Sequence, residues 1–201
     1  MFAKLNRWAA GLAAVAVVLV LGGCAHPISL APNVANIAGA GSGGAGKIDK
    51  RVGLVITDAD KAREVITPGG GGDKVSYFPY RDLEAGLYFA LAESFASVTK
   101  VSGVADAKVK GDRLNLIITP EIRTTSYSDS ILTWPPTLFN IELTCKVVDD
   151  SGKAVTELRV VGDGRASFDE FRSDFSLSAK RASDDLLKKL VKALGEAKEL
   201  R

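Results

Sequence analysis

Apolar and polar side chains alternate from Phe139 to Val147 within 138-LFNIELTCKVV-148. Phe139, Ile141, Leu143, Cys145 and Val147 fall on one side, and Asn140, Glu142, Thr144 and Lys146 on the other. A period of two marks a strand with one buried and one wet face. The rhythm returns in 154-AVTELRVVGDGRASF-168. There Leu158, Val160, Gly162, Gly164, Ala166 and Phe168 are apolar or small, while Glu157, Arg159, Asp163, Arg165 and Ser167 are polar. The turn 149-DDSG-152 joins the two as a hairpin, and Gly162 with Gly164 leaves room on the buried face for a helix backbone to come close. Three more strands are expected: 51-RVGLVIT-57, a short 74-KVSYF-78 stopped by Pro79, and 113-RLNLIIT-119 continuing past Pro120 to about Tyr127. Residues 58–66 and the run 68-PGGGG-72 read as loop. The period changes to that of a helix twice. Leu83, Leu87, Ala90, Leu91 and Val98 form one stripe over 82–97, and Ala179, Ala182, Leu186, Leu190 and Leu194 form another over 174–197, with Lys188, Lys189 and Lys192 facing water. The pattern predicts an α+β domain of two layers, a mostly antiparallel sheet with two helices packed on one face, in the order ββαβββα.

The first 23 residues have a different grammar. Lys4 and Arg7 precede an apolar run from Trp8 to Leu21, and Gly22 and Gly23 come just before Cys24. That is a secretory signal, shorter than a membrane span requires. The stretch Leu21-Gly22-Gly23-Cys24 resembles the lipobox of bacterial lipoproteins, which implies cleavage before Cys24 and a diacylglyceryl group on its sulfur. The other reading is an ordinary secretory signal, or a single-span anchor, that happens to carry a cysteine. On the lipobox reading, residues 1–23 are a signal peptide, 24–47 are the lipidated cysteine and a flexible tether, and 48–201 are one periplasmic α+β domain. A coil of that length spans roughly 25 Å. Ala25 stands where an Asp would retain a lipoprotein at the inner membrane, so the resemblance implies the periplasmic face of the outer membrane.

Charge and candidate chemistry narrow the function. Removal of the signal takes Lys4 and Arg7 from the 26 basic residues and leaves them level with the 24 acidic ones, which gives no electrostatic footprint for nucleic acid. The segment 41-GSGGAGK-47 has the spacing of a phosphate-binding loop. Ile48 follows in place of the Ser or Thr that would hold a metal, and no strand precedes it, so no nucleotide is expected. The single histidine, His26, lies two residues from Cys24, which leaves no histidine-based triad or metal site. Cys145 sits on the buried side of its strand. The carboxylate pairs at 58-DAD-60, 149-DD-150 and 184-DD-185 read as turn formers and a solvated helix face. Asp169 and Glu170 are the one pair from which carboxylate-only hydrolysis could be built. The expectation is a protein that is not an enzyme and has no metal or cofactor.

Binding features are more informative. In 128-SDSILTWPPT-137, Ile131, Leu132 and Trp134 occupy a loop stiffened by Pro135 and Pro136. Two arrangements suit Trp134: folded back over the open end of the sheet, or presented as a partner-binding anchor with Ile131, Leu132 and Pro135. A second cluster, 77-YFPYRDL-83, offers Tyr77, Tyr80 and Arg81, with Arg123 nearby in the expected sheet, for a glycan or lipid ligand; core packing is the other reading of its aromatics.

The lipobox, the segment 26-HPISLAPNV-34, a first strand running into 57-TDADKAREV-65, 81-RDL-83 opening the first helix, three meandering strands and a C-terminal helix together resemble the YajG family of bacterial lipoproteins. The order of elements is also loosely similar to lipoproteins of lipopolysaccharide assembly and to accessory lipoproteins of curli and polysaccharide export. The resemblance implies location and fold and carries no activity. The expected function is an accessory subunit of a cell-envelope assembly or export complex, held to the membrane by its lipid and joined to an envelope protein. The alternative is direct binding of glycan or lipid.

Overall fold

The computed structural model describes residues 25–37, 39, 46–129 and 131–201; Cys24 and the segment before it lie outside the described residues, as do residues 41–45 of the glycine-rich stretch. In chain order the elements are β1 (His26–Pro27), a 3-10 turn at Val34–Asn36, β2 (Ile48–Val55), α1 (Asp58–Lys61), β3 (Val65–Pro68), β4 (Lys74–Tyr77), α2 (Pro79–Ser94) and β5 (Phe95–Val101). They continue with α3 (Ala107–Gly111), β6 (Leu116–Tyr127), β7 (Leu138–Asp149), β8 (Ala154–Arg165), α4 (Phe168–Phe171), α5 (Leu177–Glu196) and a 3-10 turn at Lys198–Leu200. Five strands form the main sheet in the order β5-β2-β6-β7-β8, and β1, β4 and β3 form a small second sheet. The expected class holds: α+β, with α2 and α5 packed together on one face of the main sheet.

The meander β6-β7-β8 is antiparallel, with Ile122 opposite Leu143 and Ile141 opposite Gly162. Phe139, Ile141, Leu143, Cys145 and Val147 all point into the core, as their alternation requires. The other half of the sheet is parallel, because β2 lies between β5 and β6 and runs with both. Its run Val52-Gly53-Leu54 is buried on both sides, as parallel strands require, and Gly53 faces the side chains of Val101, Ile117 and Leu114.

Two boundaries differ from expectation. Pro79 takes the first position of α2, where its missing amide costs nothing, so the helix starts before residue 82. It also ends earlier. Phe95 is fully buried with extended backbone and opens β5 with no intervening loop, so Val98 belongs to a strand. At the start of 58–66, Asp60 forms a capping box with the preceding Thr57 and turns one stretch of expected loop into α1.

A further difference concerns the expected tether. Leu30 and Ile37 are fully buried, and Ile28 nearly so. The amide of Leu30 donates to Asp82 Oδ2 at 3.0 Å, that of Asn33 to Asp184 Oδ1 at 2.9 Å, and that of Ser29 to Ser176 Oγ at 3.0 Å. Over residues 26–37 the chain is therefore a strap across α2 and α5. Ile28, Leu30 and Ile37 are too few to establish a period, so the composition of the segment alone reads as coil.

Candidate functional site

The loop between β6 and β7 is built from both ends. Thr137 Oγ1 accepts from the amide of Asp129 at 3.2 Å, the Thr137 carbonyl accepts from the amide of Ala166 at 3.0 Å, and the Pro136 carbonyl accepts from Ser178 Oγ at 2.7 Å. Midway, the carbonyl of Trp134 accepts from the amide of Gly70 at 2.8 Å. That bond explains the glycine run. Gly71 and Gly72 adopt positive φ to turn the β3-β4 hairpin, and a Cβ on Gly69 would strike the Trp134 carbonyl.

The Trp134 ring is held between two others. His26 stacks on it with centroids 4.3 Å apart and planes at 20°, and Phe175 lies at 5.0 Å and 54°. His26 Nε2 is 3.6 Å from Asp73 Oδ2 on the hairpin turn. Trp134 is thus half-buried, over the end of the sheet, while the loop tip stays outside: Ile131 is 85% exposed and Leu132 90%. Phe168 and Phe175 are 62% and 52% exposed beside it. A hollow of about 460 Å³ lies among Leu132, Trp134, Pro135, Phe168, Phe171 and Phe175. Exposed apolar side chains this concentrated make the loop tip and its neighbours the candidate contact surface. Of the loop residues, Ile131 and Leu132 are exposed here, Trp134 is half-buried behind them, and Pro135 is buried and lines the hollow.

Sequence reasoning missed its other half. Phe168 continues the alternation of β8 on paper, yet the strand stops at Arg165 and Phe168 turns outward on α4. The signal that would have found it is 168-FDEFRSDF-175, three phenylalanines at helical spacing, which a strand cannot place together. His26, which the sequence gives no triad to join, is placed here by its stack on Trp134.

The second cluster does not form a site. Tyr77 is 1% exposed, with its hydroxyl 2.7 Å from Thr124 Oγ1 and 3.2 Å from Thr67 Oγ1, and burial pushes its phenol up. Tyr80 is buried too, and its hydroxyl accepts from the amide of Ile122 at 3.2 Å. Arg81 lies outside, its guanidinium 3.9 Å from the Phe78 ring centre. Arg123 is on the opposite, wet face of the sheet, directly across from Glu142. The expected grouping of Tyr77, Tyr80, Arg81 and Arg123 is corrected: the tyrosines are amphipathic enough to suit a pocket, but their rings fill the core beneath α2.

Both outer strands of the main sheet carry side chains on their edge groups. On β8 the amide of Asp163 donates to Asp185 Oδ2 at 3.0 Å, and the carbonyls of Val161 and Arg165 accept from Lys189 and Arg181. On β5, Tyr88 Oη and Lys108 Nζ donate to the carbonyls of Val98 and Lys100. Side chains laid along an edge discourage strand addition.

The carboxylates also have local work. Glu170 accepts from Arg181 Nη2 at 2.7 Å and from the Ser167 amide at 2.8 Å, which together hold its carboxyl at about 2. A general acid needs the opposite shift. Lys47 donates to the Ala92 carbonyl at 2.6 Å, near the C-terminal end of α2, where a cation is favoured. Burial pushes the Cys145 thiol up to about 12. Cys145 is therefore expected to resist maleimide at pH 8 in the folded protein and to react fully in denaturant, as read by intact mass. The neutral thiol stabilises the fold below its ordinary value of 9.0, and that contribution is lost as pH rises from there toward 12.

No protein-family model and no curated protein matches the chain. Among solved structures it is similar to a Xanthomonas campestris protein of family DUF330, at 11% identity over 87% of this chain and 94% of that one, with a TM-score of 0.46. It is also similar to a minor lipoprotein from Acinetobacter baumannii, at 11% identity over 73% of this chain and 93% of that one, with a TM-score of 0.43.

Proposed function

We propose that the protein is a non-enzymatic lipoprotein of the YajG kind, held through Cys24 at the periplasmic face of the outer membrane, whose domain docks on another component of the envelope. The accessory role in an assembly or export complex belongs to this proposal. One observation carries it. Immediately after the lipobox cysteine the chain is already built into the domain, and it enters beside the most exposed apolar side chains of the fold. An enzyme would gain nothing from that placement, whereas a docking subunit gains orientation. Direct glycan binding loses its support with the burial of Tyr77 and Tyr80.

The test is made in intact cells. The mature protein is expected to show the mass of a lipid-bearing Cys24, to sediment with outer membranes, and to crosslink to a recurrent envelope protein. Cys24→Ser should abolish all three. A soluble, unlipidated mature chain with no recurrent neighbour would refute the proposal.

A further inference from the structure

We infer that the apolar surface formed by Ile131, Leu132, Phe168 and Phe175 rests on the bilayer that carries the lipid anchor. The inference depends on Cys24 being lipidated and names what that surface meets. His26 is the second residue after Cys24, and an extended chain covers at most about 7 Å over that distance. His26 is fixed by its stack on Trp134, by pairing of β1 with β4, and by Asp73. The acyl chains therefore start within that radius of a residue that touches the loop itself. A protein partner at this surface would have to share the space with the headgroups.

The composition suits an interface between water and hydrocarbon. Isoleucine, leucine and two phenylalanines project outward, a tryptophan lies behind them at headgroup depth, and Arg172 borders the hollow. Among the described residues that line the hollow, Asp73 is the one carboxylate, and it faces His26. Affinity need not be high. The anchor keeps the surface at a large effective concentration beside the bilayer, so a weak contact is enough to set orientation. The wet face of the β6-β7-β8 meander then points away from the membrane, free for other contacts.

The experiment uses the full mature protein purified from membranes and returned to vesicles of phosphatidylethanolamine and phosphatidylglycerol. A polarity-sensitive dye is attached at Ile131→Cys or, as a control, at Asp150→Cys in the β7-β8 turn. The control lies about 40 Å away along β7. Cys145 is buried and does not compete for the label. The expected result is a blue shift with a several-fold rise in emission at 131 and none at 150, lost when Leu132→Ser and Phe168→Ser are added. An unchanged dye at 131, on protein whose mass shows lipid on Cys24, overturns the contact and leaves the anchor standing. Equal shifts at both sites overturn it too, since the domain would then lie in no fixed orientation. A shift seen in native membranes and absent from protein-free vesicles assigns the surface to a protein partner and rejects the inference. A mass without lipid removes the anchor reading itself, and the contact with it.

Discussion

Gly164→Ala is expected to lower stability by about 3 kcal/mol or more, although it adds one methyl group. The backbone at Gly164 is not left-handed, so the chain itself would accept alanine. Space is what is missing. A Cβ there would overlap the Ser178 carbonyl and the Ala182 amide of α5, both backbone groups that cannot rotate away. At Gly162 the same atom would lie 2.5 Å from Leu186 Cβ and 2.7 Å from the Leu186 amide nitrogen. α5 must lift off β8 to relieve either clash, and with it goes the burial of Ala182 and Leu186. In a domain of this size the melting temperature should fall on the order of 10 °C. Urea denaturation is the cleaner measurement: the midpoint drops while the slope stays near that of the wild type. Gly195→Ala provides the comparison. Gly195 is exposed on α5, and an added methyl group would meet nothing within 4 Å, so alanine there should be neutral or gain about 0.5–1 kcal/mol of helix propensity. Equal behaviour of Gly164→Ala and Gly195→Ala would show that α5 is not seated on the two glycines.

That pair of glycines was legible because β8 alternates so regularly that two missing side chains on the buried face had to mean something large nearby. The same regularity made β7 and the stripe of α5 readable. What escaped was anything whose neighbours are distant in sequence. β5 has only Phe95 and Val101 fully buried, at its two ends, so its pattern merges with the helix before it. β2 is readable as a strand from Val52, Leu54 and Ile56, but nothing in that short run shows its parallel placement between β5 and β6. The contact surface was half legible. Pro135 and Pro136 next to Trp134 mark the loop, while Phe168 and Phe175 continue the patterns of regular elements that end before reaching them. His26 and the strap could not be read at all, since a handful of apolar residues among Ala, Pro, Ser and Asn looks the same whether it lies in water or in a groove.

The strap makes the second large effect, and it separates the two readings of the N-terminal segment. Leu30→Ala is expected to cost about 3 kcal/mol, the usual loss for a fully buried leucine whose cavity cannot close. A flexible tether would lose nothing, because a residue in solvent contributes no packing. Leu30 belongs to the same core cluster as Leu83, Leu87 and Leu187, where the two helices meet, and its amide is committed to Asp82. Pro32 fills the space above Gly86, so the segment cannot slide to close the gap. Thermal unfolding of the mature chain should report a lowered melting temperature for Leu30→Ala, beside an unchanged one for Ile131→Ser, whose side chain is 85% exposed. A wild-type melting curve for Leu30→Ala would return residues 26–37 to the status of a linker. On the proposed lipid anchoring, the consequence reaches the membrane. With Cys24 anchored as proposed, a docked strap sets the orientation of the domain, since Cys24 lies only two positions before a fixed ring. With the strap loosened, the same lipid would hold the domain at the end of a long coil, and the dye at position 131 should lose its contact although nothing in the exposed surface has changed. Stability and orientation are therefore expected to fail together in Leu30→Ala, and orientation alone in Leu132→Ser with Phe168→Ser.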